Sequence, residues 1–264
     1  MITLDLTLTG KLISTIGKSG FAADLASALK EIAPFNYMVV FGYLGTRPPL
    51  DLYDNFPKGK RKIFVEDYQE GPYLLDPYYT ATTKPTDSGL YRLRDLAPDR
   101  FYQGEYFRNY YVQTGLAEEI AFLINLPEGA VVTVSLMRTE KAFSAKELRE
   151  MREFLPVVLA ASEKHWEDLA LNFSIPNDAE SKNAHGQRLE AALREFGKGL
   201  LTPREREVVE FTLKGHSAVA VGHIMGISPG TVRIHRRNIY SKLRIRSQGE
   251  LFSGFIEAML KRPD

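Results

Sequence analysis

The chain of 264 residues contains no cysteine, a single tryptophan and five histidines. Without cysteine it forms no disulfide framework, no thiolate nucleophile and no cysteine-ligated zinc or iron–sulfur site. No apolar run approaches the ~18 residues that span a bilayer. Asp5 interrupts the apolar N-terminus before the first basic residue, Lys11, so no signal peptide is expected. These absences predict a cytoplasmic protein with no membrane partner.

The sequence also lacks the motifs of common enzyme and cofactor classes. It has neither a Walker-type phosphate loop nor a dinucleotide-binding glycine pattern. The adjacent carboxylates Glu118 and Glu119 fall on a predicted strand, where neighbours point to opposite faces, and are interpreted as solvated surface. The histidines lack carboxylate or thiol partners at metal-ligand spacing. We therefore expect no catalytic residues, no metal site, no cofactor and no enzymatic activity.

Charge is distributed unevenly, although the formal net charge is only +1. Residues 199–264 contain eleven Lys and Arg against six Asp and Glu, whereas residues 1–198 contain 23 basic and 27 acidic side chains. Residues 228–246 contain six basic residues and no acidic one. Such asymmetry indicates a module that binds a polyanion, joined to a domain with another role.

The order of apolar and polar residues divides the chain into three segments. Residues 1–170 alternate between strand and helix patterns and predict an α+β domain, an antiparallel sheet with flanking helices. Residues 171–198 form a polar linker with one short amphipathic helix. Residues 199–264 predict an all-α domain of four helices.

Several elements of the first segment are predicted individually. Alternating apolar residues predict a strand over 2–8, and the spacing from Phe21 to Ile32 predicts a helix that stops before Pro34. Tyr37–Leu44 is predicted to be a strand, and 63–79 partly helical with a break at Gly71-Pro72. Two apolar strands, 119–126 and 130–138, are joined by a hairpin turn. Ser144 then begins a long helix with a capping box.

The last segment carries closely spaced helix start and stop signals. Thr202 and Pro203 begin a helix that ends at Gly215, and Ser217 begins a short second helix that Gly226 ends. Ser228 and Pro229 begin a third, and a capping box from Ser247 begins the fourth. A three-residue turn between the second and third helices predicts a helix-turn-helix.

The third helix has the side chains needed to contact DNA. Arg233, Arg236 and Arg237 recur at helical spacing, largely opposite the apolar Val232 and Ile239. Arginine forms paired hydrogen bonds with guanine or clamps a phosphate. Ser228, Thr231 and the free backbone N–H groups at the helix start suit phosphate contacts. We therefore predict that double-stranded DNA is a partner.

The motifs LTPREREVVEF, GHS, GISPGTVRIHRRNIYSKL and RSQGEL resemble the LuxR-type (GerE-like) helix-turn-helix domain over residues 199–260. The resemblance implies a transcription regulator whose terminal helix often dimerises on DNA, hence a homodimer. It implies that Arg233, Ile234 and Arg237 read bases. It assigns Thr231, His235 and Lys242 to backbone-contacting or supporting positions, although a structural role for His235 is equally compatible with the sequence.

The second helix departs from this family pattern. The family usually carries asparagine-lysine-glutamate-isoleucine-alanine after the cap serine, where this chain has 218–222, AVAVG. The polar groups that steady the contact with the DNA backbone are lost, and Gly222 costs the helix roughly 1 kcal/mol relative to alanine. The alternative function is a protein-interaction or dimerisation module whose helix-turn-helix no longer binds DNA strongly.

Aromatic residues are concentrated in the first segment, where six of the eleven residues 101–111 are aromatic. With Tyr73, Tyr78, Tyr79 and Tyr91 they are candidates for lining an apolar cavity with hydroxyl groups that orient a small molecule. The alternative is that the rings wedge helices onto the sheet. The ligand-binding candidates are Tyr37, Tyr73, Tyr91, Phe101, Tyr106 and Tyr110.

The stretch from DPYY at position 76, through EYFRNYYVQTGL, to HW at 165 resembles the GAF-like or PAS-like sensory domains that precede LuxR-type modules. The resemblance covers residues 20–166 and implies that this domain senses a small molecule or mediates dimerisation. A receiver domain is disfavoured because no phosphoacceptor pattern is present. An acyl-homoserine-lactone receptor is disfavoured because its pocket uses tryptophan, and Trp166 lies at the domain edge.

Overall fold

The computed structural model describes residues 6–69, 72–109, 111–173, 196–197 and 199–260. The described chain forms a sheet-containing part up to residue 173 and an all-helical part from residue 199. The predicted linker helix and most of the predicted linker lie outside the described residues. Within the described residues, no helix is both long and apolar enough to cross a membrane.

A five-stranded antiparallel sheet forms the centre of the first part. Its strands are ordered β2-β1-β5-β4-β3. The bounds are β1 Tyr37–Leu44, β2 Leu50–Asp54, β3 Gly89–Arg92, β4 Glu118–Asn125 and β5 Ala130–Arg138. The predicted β1 and the β4–β5 hairpin are confirmed, because their long apolar runs lie in the centre of the sheet with helices on both faces.

One face of the sheet is covered by three regular helices. These are α1 Leu6–Ser14, α2 Phe21–Ile32 and a long helix Ala145–His165. Alternate strand residues such as Val40, Phe122 and Val134 pack against them in one apolar cluster. The capping box predicted at Ser144 is present, since its hydroxyl accepts from the Glu147 amide at 3.2 Å. The predicted N-terminal strand is wrong in its described portion, which is the helix α1, because residues 12 and 16 pack with the helical layer.

The opposite face is covered by short, irregular helical segments. The helices are Lys58–Arg61, Asp67–Gln69, α3 Pro77–Thr82, Leu93–Leu96 and α4 Glu105–Asn109, with further single turns at Lys62–Glu66, Pro72–Leu75, Phe101–Gln103 and Tyr111–Thr114. Odd-numbered residues of the central strands, among them Val39, Phe41 and Tyr43, point into this layer. Its segments contribute most of the aromatic side chains, so this layer is built largely from rings.

The helical part has the predicted four-helix order. A short helix Leu169–Asn172 ends the sheet-containing part, and the four helices that follow are α5 Pro203–Leu213, α6 Ala218–Met225, α7 Pro229–Leu243 and α8 Gln248–Leu260. The N-cap residues Thr202, Ser217 and Ser228 each accept a hydrogen bond from the backbone amide three residues later. Gly215 and Gly226 adopt the positive φ angles that end the first two helices.

Gly222 allows the tight turn between α6 and α7. A Cβ atom at this position would lie 2.7 Å from the carbonyl oxygen of Ile227, which is closer than real Cβ atoms approach. The amide of Ile227 also donates to the Gly222 carbonyl at 2.9 Å. The glycine therefore has a packing role, which corrects the interpretation that it only weakens the helix.

The two parts contact each other where residues 99–100 meet the start of α6 and where α4 packs against α8. The amide of Arg100 donates to the Gly215 carbonyl at 3.1 Å, and the Asp99 carboxylate accepts from the Ser217 amide at 3.0 Å. Burial opposes ionisation of Asp99, but the hydrogen bonds from Ser217 outweigh it and lower its pKa. The start of α6 is thus held directly by residues 99–100.

Candidate DNA-binding surface and ligand cavity

The N-terminal half of α7 exposes one face with two arginines. Arg233 and Arg237 are exposed and lie one helical turn apart, and Ile234 beside them is 51% exposed. Val232 and Ile239, on the opposite side, are buried against α5 and α6. The apolar side of the helix therefore anchors it, and the exposed face points its guanidinium groups into solvent.

The cap residues of α7 are also exposed. Ser228 Oγ accepts from the Thr231 amide at 3.0 Å, and the two hydroxyls lie 2.8 Å apart. Pro229 has no N–H, and the Val232 amide donates to the Ser228 carbonyl, so the first turn of α7 is closed mainly by Ser228. The cap leaves both hydroxyls at the surface, where they can also meet a phosphate.

Three other predicted contact residues are placed differently. Arg236 is half-buried and donates to the His216 carbonyl at 2.8 Å, and burial lowers its pKa. Lys242 pairs with the buried Glu205 at 2.7 Å. His235 is half-buried on the same helix. Arg236 and Lys242 therefore already bind other parts of the chain, in contrast to Arg233 and Arg237.

The second helix exposes apolar side chains, in keeping with its unusual sequence. Val219 is 60% exposed and Ile224 is 50% exposed. Its inward side is held by Val221 and Met225 in the shared core. The helix is therefore packed as the fold requires, while its outer side is largely apolar, with His223 as an exposed polar side chain.

The sheet-containing part encloses a cavity of about 40 Å³ between the sheet and the aromatic layer. Five tyrosines line it: Tyr43, Tyr68, Tyr78, Tyr106 and Tyr111. Its apolar walls are Val39, Phe41, Phe64 and Met137. Its other polar residues are Asp76, Thr114, Glu119, Thr133 and Ser135. The cavity has room for more than one water, and its wall is mostly aromatic.

Asp76 lies at the start of α3, where it has two roles. Its Oδ1 accepts from the Tyr78 amide at 2.8 Å, which caps the helix. Its Oδ2 accepts from the Tyr68 hydroxyl at 2.7 Å, and the Tyr43 hydroxyl lies 3.2 Å from that of Tyr68. Burial raises the pKa of Asp76 to about 6, although these hydrogen bonds oppose the shift.

Glu119 projects into the cavity from β4 and is 7% exposed. Its carboxylate accepts from the Tyr111 hydroxyl at 3.2 Å and interacts with Ser135 on the neighbouring strand. Burial, reinforced by the negative charge of Asp76, raises its pKa to about 8. Glu118 points to the other face, where it pairs with Arg92. The interpretation of both carboxylates as solvated surface is therefore wrong, whereas their opposite orientation is confirmed.

Of the six ligand-binding candidates predicted from the sequence, Tyr106 lines the cavity. Tyr37 packs on Phe56 with ring centroids 5.2 Å apart, and the Tyr91 hydroxyl donates to the Asp87 carbonyl at 2.9 Å. Tyr73 packs against Tyr79, and Phe101 packs against Tyr106. Tyr110 lies outside the described residues. Four of the named rings thus lie away from the cavity wall, as the alternative of structural wedges expects.

The residues that the sequence analysis did not single out are mainly those on strands. Tyr43, Thr133 and Ser135 belong to apolar runs, where no local feature distinguishes a cavity residue from a core residue. The available signal was polarity: Glu119 and Ser135 are polar positions in otherwise apolar strands, on the same face as Tyr43. A polar side chain in a buried strand marks a pocket or a buried network.

Comparison with known proteins identifies the family of this chain. The family model of bacterial regulatory proteins, luxR family, matches residues 199–253. A putative HTH-type transcriptional regulator in the exeN 3' region of Aeromonas salmonicida is 30% identical over 194 residues, which cover 71% of this chain and 96% of that protein. The chain belongs to the LuxR family of bacterial regulatory proteins.

Other relatives agree with this assignment. The transcriptional activator protein SolR of Ralstonia solanacearum is 26% identical over 239 residues, 84% of this chain and 86% of that protein. The LBD domain of VqsR from Pseudomonas aeruginosa matches with a TM-score of 0.54 at 23% identity, covering 61% of this chain and 94% of that domain. The predicted architecture, an α+β domain followed by a helix-turn-helix, is confirmed, and this LuxR-family chain is a DNA-binding transcription regulator rather than an enzyme.

Proposed function

We propose that this LuxR-family regulator acts in the cytoplasm as a homodimer that reads two DNA half-sites and is controlled by a small molecule in the aromatic cavity. The observation that carries the proposal is the pairing of two features in one chain. One is an exposed arginine face on α7, and the other is an enclosed cavity with inward-facing polar groups.

The proposed base-reading residues are Arg233, Ile234 and Arg237. Their exposure on the first half of α7 supports this role, because a recognition helix contacts base edges with its N-terminal residues. Ser228 and Thr231 are proposed to contact phosphate. His235, Arg236 and Lys242 are proposed as supporting positions, since the last two hold α7 against the rest of the chain.

A physical route joins the cavity to the DNA-binding module. Tyr106 lines the cavity, and its ring packs on Phe101 with centroids 5.8 Å apart. Phe101 follows Arg100, whose amide is bonded to Gly215 immediately before α6. A ligand that moves Tyr106 therefore shifts the segment that holds the start of α6, and thereby the placement of α7.

The DNA part of the proposal is tested by selecting bound sites from random duplexes with the full-length protein. We expect paired half-sites about one helical turn apart, as two-fold symmetry requires. Affinity for the selected site should fall with salt, with a logarithmic slope of about −0.9 per phosphate contacted. Arg233→Ala should weaken binding about tenfold to a hundredfold and relax the preference at one base position.

Arg152→Ala provides the matched control, because it removes the same charge from an exposed position on the long helix of the sensory domain. This variant should bind the selected site as wild type does. Equal losses in Arg233→Ala and Arg152→Ala would contradict base reading by α7. Selection of unpaired single sites would contradict the dimeric arrangement.

A further inference from the structure

The cavity combines two carboxylates with an aromatic wall and no basic side chain. Its fourteen lining residues include Asp76 and Glu119 but no lysine, arginine or histidine. Among the residues that the structure describes, neither carboxylate forms an ion pair, whereas the neighbouring Glu118 is paired with Arg92. A buried carboxylate without a positive partner is costly, so the cavity is complementary to a cation that arrives from outside.

The walls also favour a cation with an organic body. Ring faces attract ammonium groups through their quadrupole, and this attraction is strongest where water is excluded. Tyr43, Tyr68, Tyr78 and Tyr111 supply rings together with hydroxyls, and Val39 and Met137 supply apolar surface.

We propose that the cavity binds a small protonated amine, whose ammonium group is held by Glu119 and Asp76 and whose apolar body lies against the tyrosine rings. This inference rests on the proposed ligand-dependent function and names the ligand class of that site. Asp76 already accepts hydrogen bonds from the Tyr78 amide and the Tyr68 hydroxyl, so Glu119 is the main partner of the ammonium group. From the part of the chain that the structure describes, Glu119 accepts a hydrogen bond of 3.2 Å from Tyr111 and one from Ser135, which leaves lone pairs for an N–H donor.

The titratable groups that line the cavity with Glu119 are Asp76, Tyr43, Tyr68, Tyr78, Tyr106 and Tyr111. None of them carries a positive charge. At neutral pH the carboxyl of Glu119, with a pKa of about 8, holds a proton that an incoming ammonium group displaces. Binding of an amine is therefore expected to release up to one proton, whereas binding of a neutral molecule releases none.

The test uses calorimetry on the full-length protein with two matched pairs of probes. One pair is methylamine and methanol, and the other is propylamine and propan-1-ol, which are small enough for a cavity of about 40 Å³. Each alcohol replaces the ammonium by a hydroxyl of similar size. We expect at least one amine to bind at least tenfold more tightly than its alcohol, with proton release seen as a dependence of the heat on buffer ionisation.

Two variants locate the interaction. Glu119→Gln keeps the shape of the side chain and should reduce amine affinity at least tenfold without changing alcohol affinity. Glu140→Gln makes the same chemical change on an exposed loop residue outside the cavity and should bind as wild type does. The amine–alcohol difference and the proton release are measured on the wild-type protein, so the test stands even if Glu119→Gln fails to fold.

Three results overturn the amine proposal. They are equal affinity for amine and alcohol, amine binding that Glu119→Gln leaves unchanged, and no binding of any probe. The first leaves the wider proposal of a ligand cavity intact if Ser135→Val, which adds apolar bulk to the cavity wall, changes the binding of both probes. The wider proposal fails instead if Ser135→Val leaves probe binding and any response of DNA affinity unchanged.

Discussion

The DNA-binding module and the sheet-containing domain gather their candidate functional residues in opposite ways. In the module, caps, turns and recognition residues follow one another within 202–247, and the arginine face is exposed and basic. In the sheet-containing domain, the cavity collects side chains from positions as far apart as 39 and 137, and its polar centre is buried and acidic. The module is thus specified by local sequence, and the cavity by strand register and packing.

The largest predicted effect concerns the buried carboxyl of Glu119 in the cavity. The pKa of Glu119 is raised to about 8 in the folded protein, above its ordinary value of 4.5. The free energy of unfolding therefore decreases as pH rises from about 4.5 to about 8, because the unfolded chain releases the Glu119 proton at a lower pH than the folded chain does. Glu119→Gln removes this loss, so the variant should gain about 3 kcal/mol over wild type between pH 5 and pH 8.

Urea unfolding of both proteins at the two pH values measures this gain. Glu140→Gln is the control, since its exposed side chain should give no pH-dependent difference from wild type. A gain for Glu119→Gln that is the same at pH 5 and pH 8 would show that burial does not perturb this carboxyl. The carboxyl of Glu119 would then behave like one on the protein surface, and the contrast between a buried acidic cavity and an exposed basic helix would be lost.

The second prediction concerns the turn of the DNA-binding module. Gly222→Val places branched carbons against the Ile227 carbonyl and should destabilise the protein by about 2 kcal/mol. Gly230→Val, on the exposed start of α7, meets only the Ser228 hydroxyl at 3.5 Å and should change stability by less than about 0.5 kcal/mol. Thermal unfolding compares the two, and similar effects would contradict a packing role for Gly222.

The sequence predicted most of the elements whose signals are local. The caps at Ser144, Thr202, Ser217 and Ser228 each act through an amide three residues away, so their chemistry is visible in four consecutive letters. The same holds for the β4–β5 hairpin. The sequence predicts a strand where the structure has the start of helix α1, because a few apolar residues are compatible with both the strand and the helix periodicity. Only the packing partner distinguishes the two.

The cavity was only partly predictable for a related physical reason. Aromatic residues were expected to line it, but whether a ring faces a cavity or a neighbouring helix depends on strand register and on short irregular segments. Tyr106 and Phe101 are five residues apart, yet one lines the cavity and the other packs behind it. The sequence places Glu119 at the surface because two adjacent acids usually mark solvent, and only the interior position of β4 in a sheet covered on both faces shows that this side chain is buried.

Substitution of one N-cap residue in each region tests whether helix capping contributes equally to the stability of both. Thr202 Oγ1 accepts from the Glu205 amide at 3.3 Å while the Thr202 amide donates to the Glu205 carboxylate at 2.8 Å, and Ser144 makes the same reciprocal pair with Glu147. Thr202→Ala and Ser144→Ala should each cost about 1 kcal/mol, because each leaves one helix amide without its cap. Urea unfolding of both variants at pH 7 measures the two losses. A cost at Thr202 several times larger than at Ser144 would mean that its partner Glu205, which also holds Lys242, transmits the loss into α7, so that the module is less locally determined than its sequence indicates.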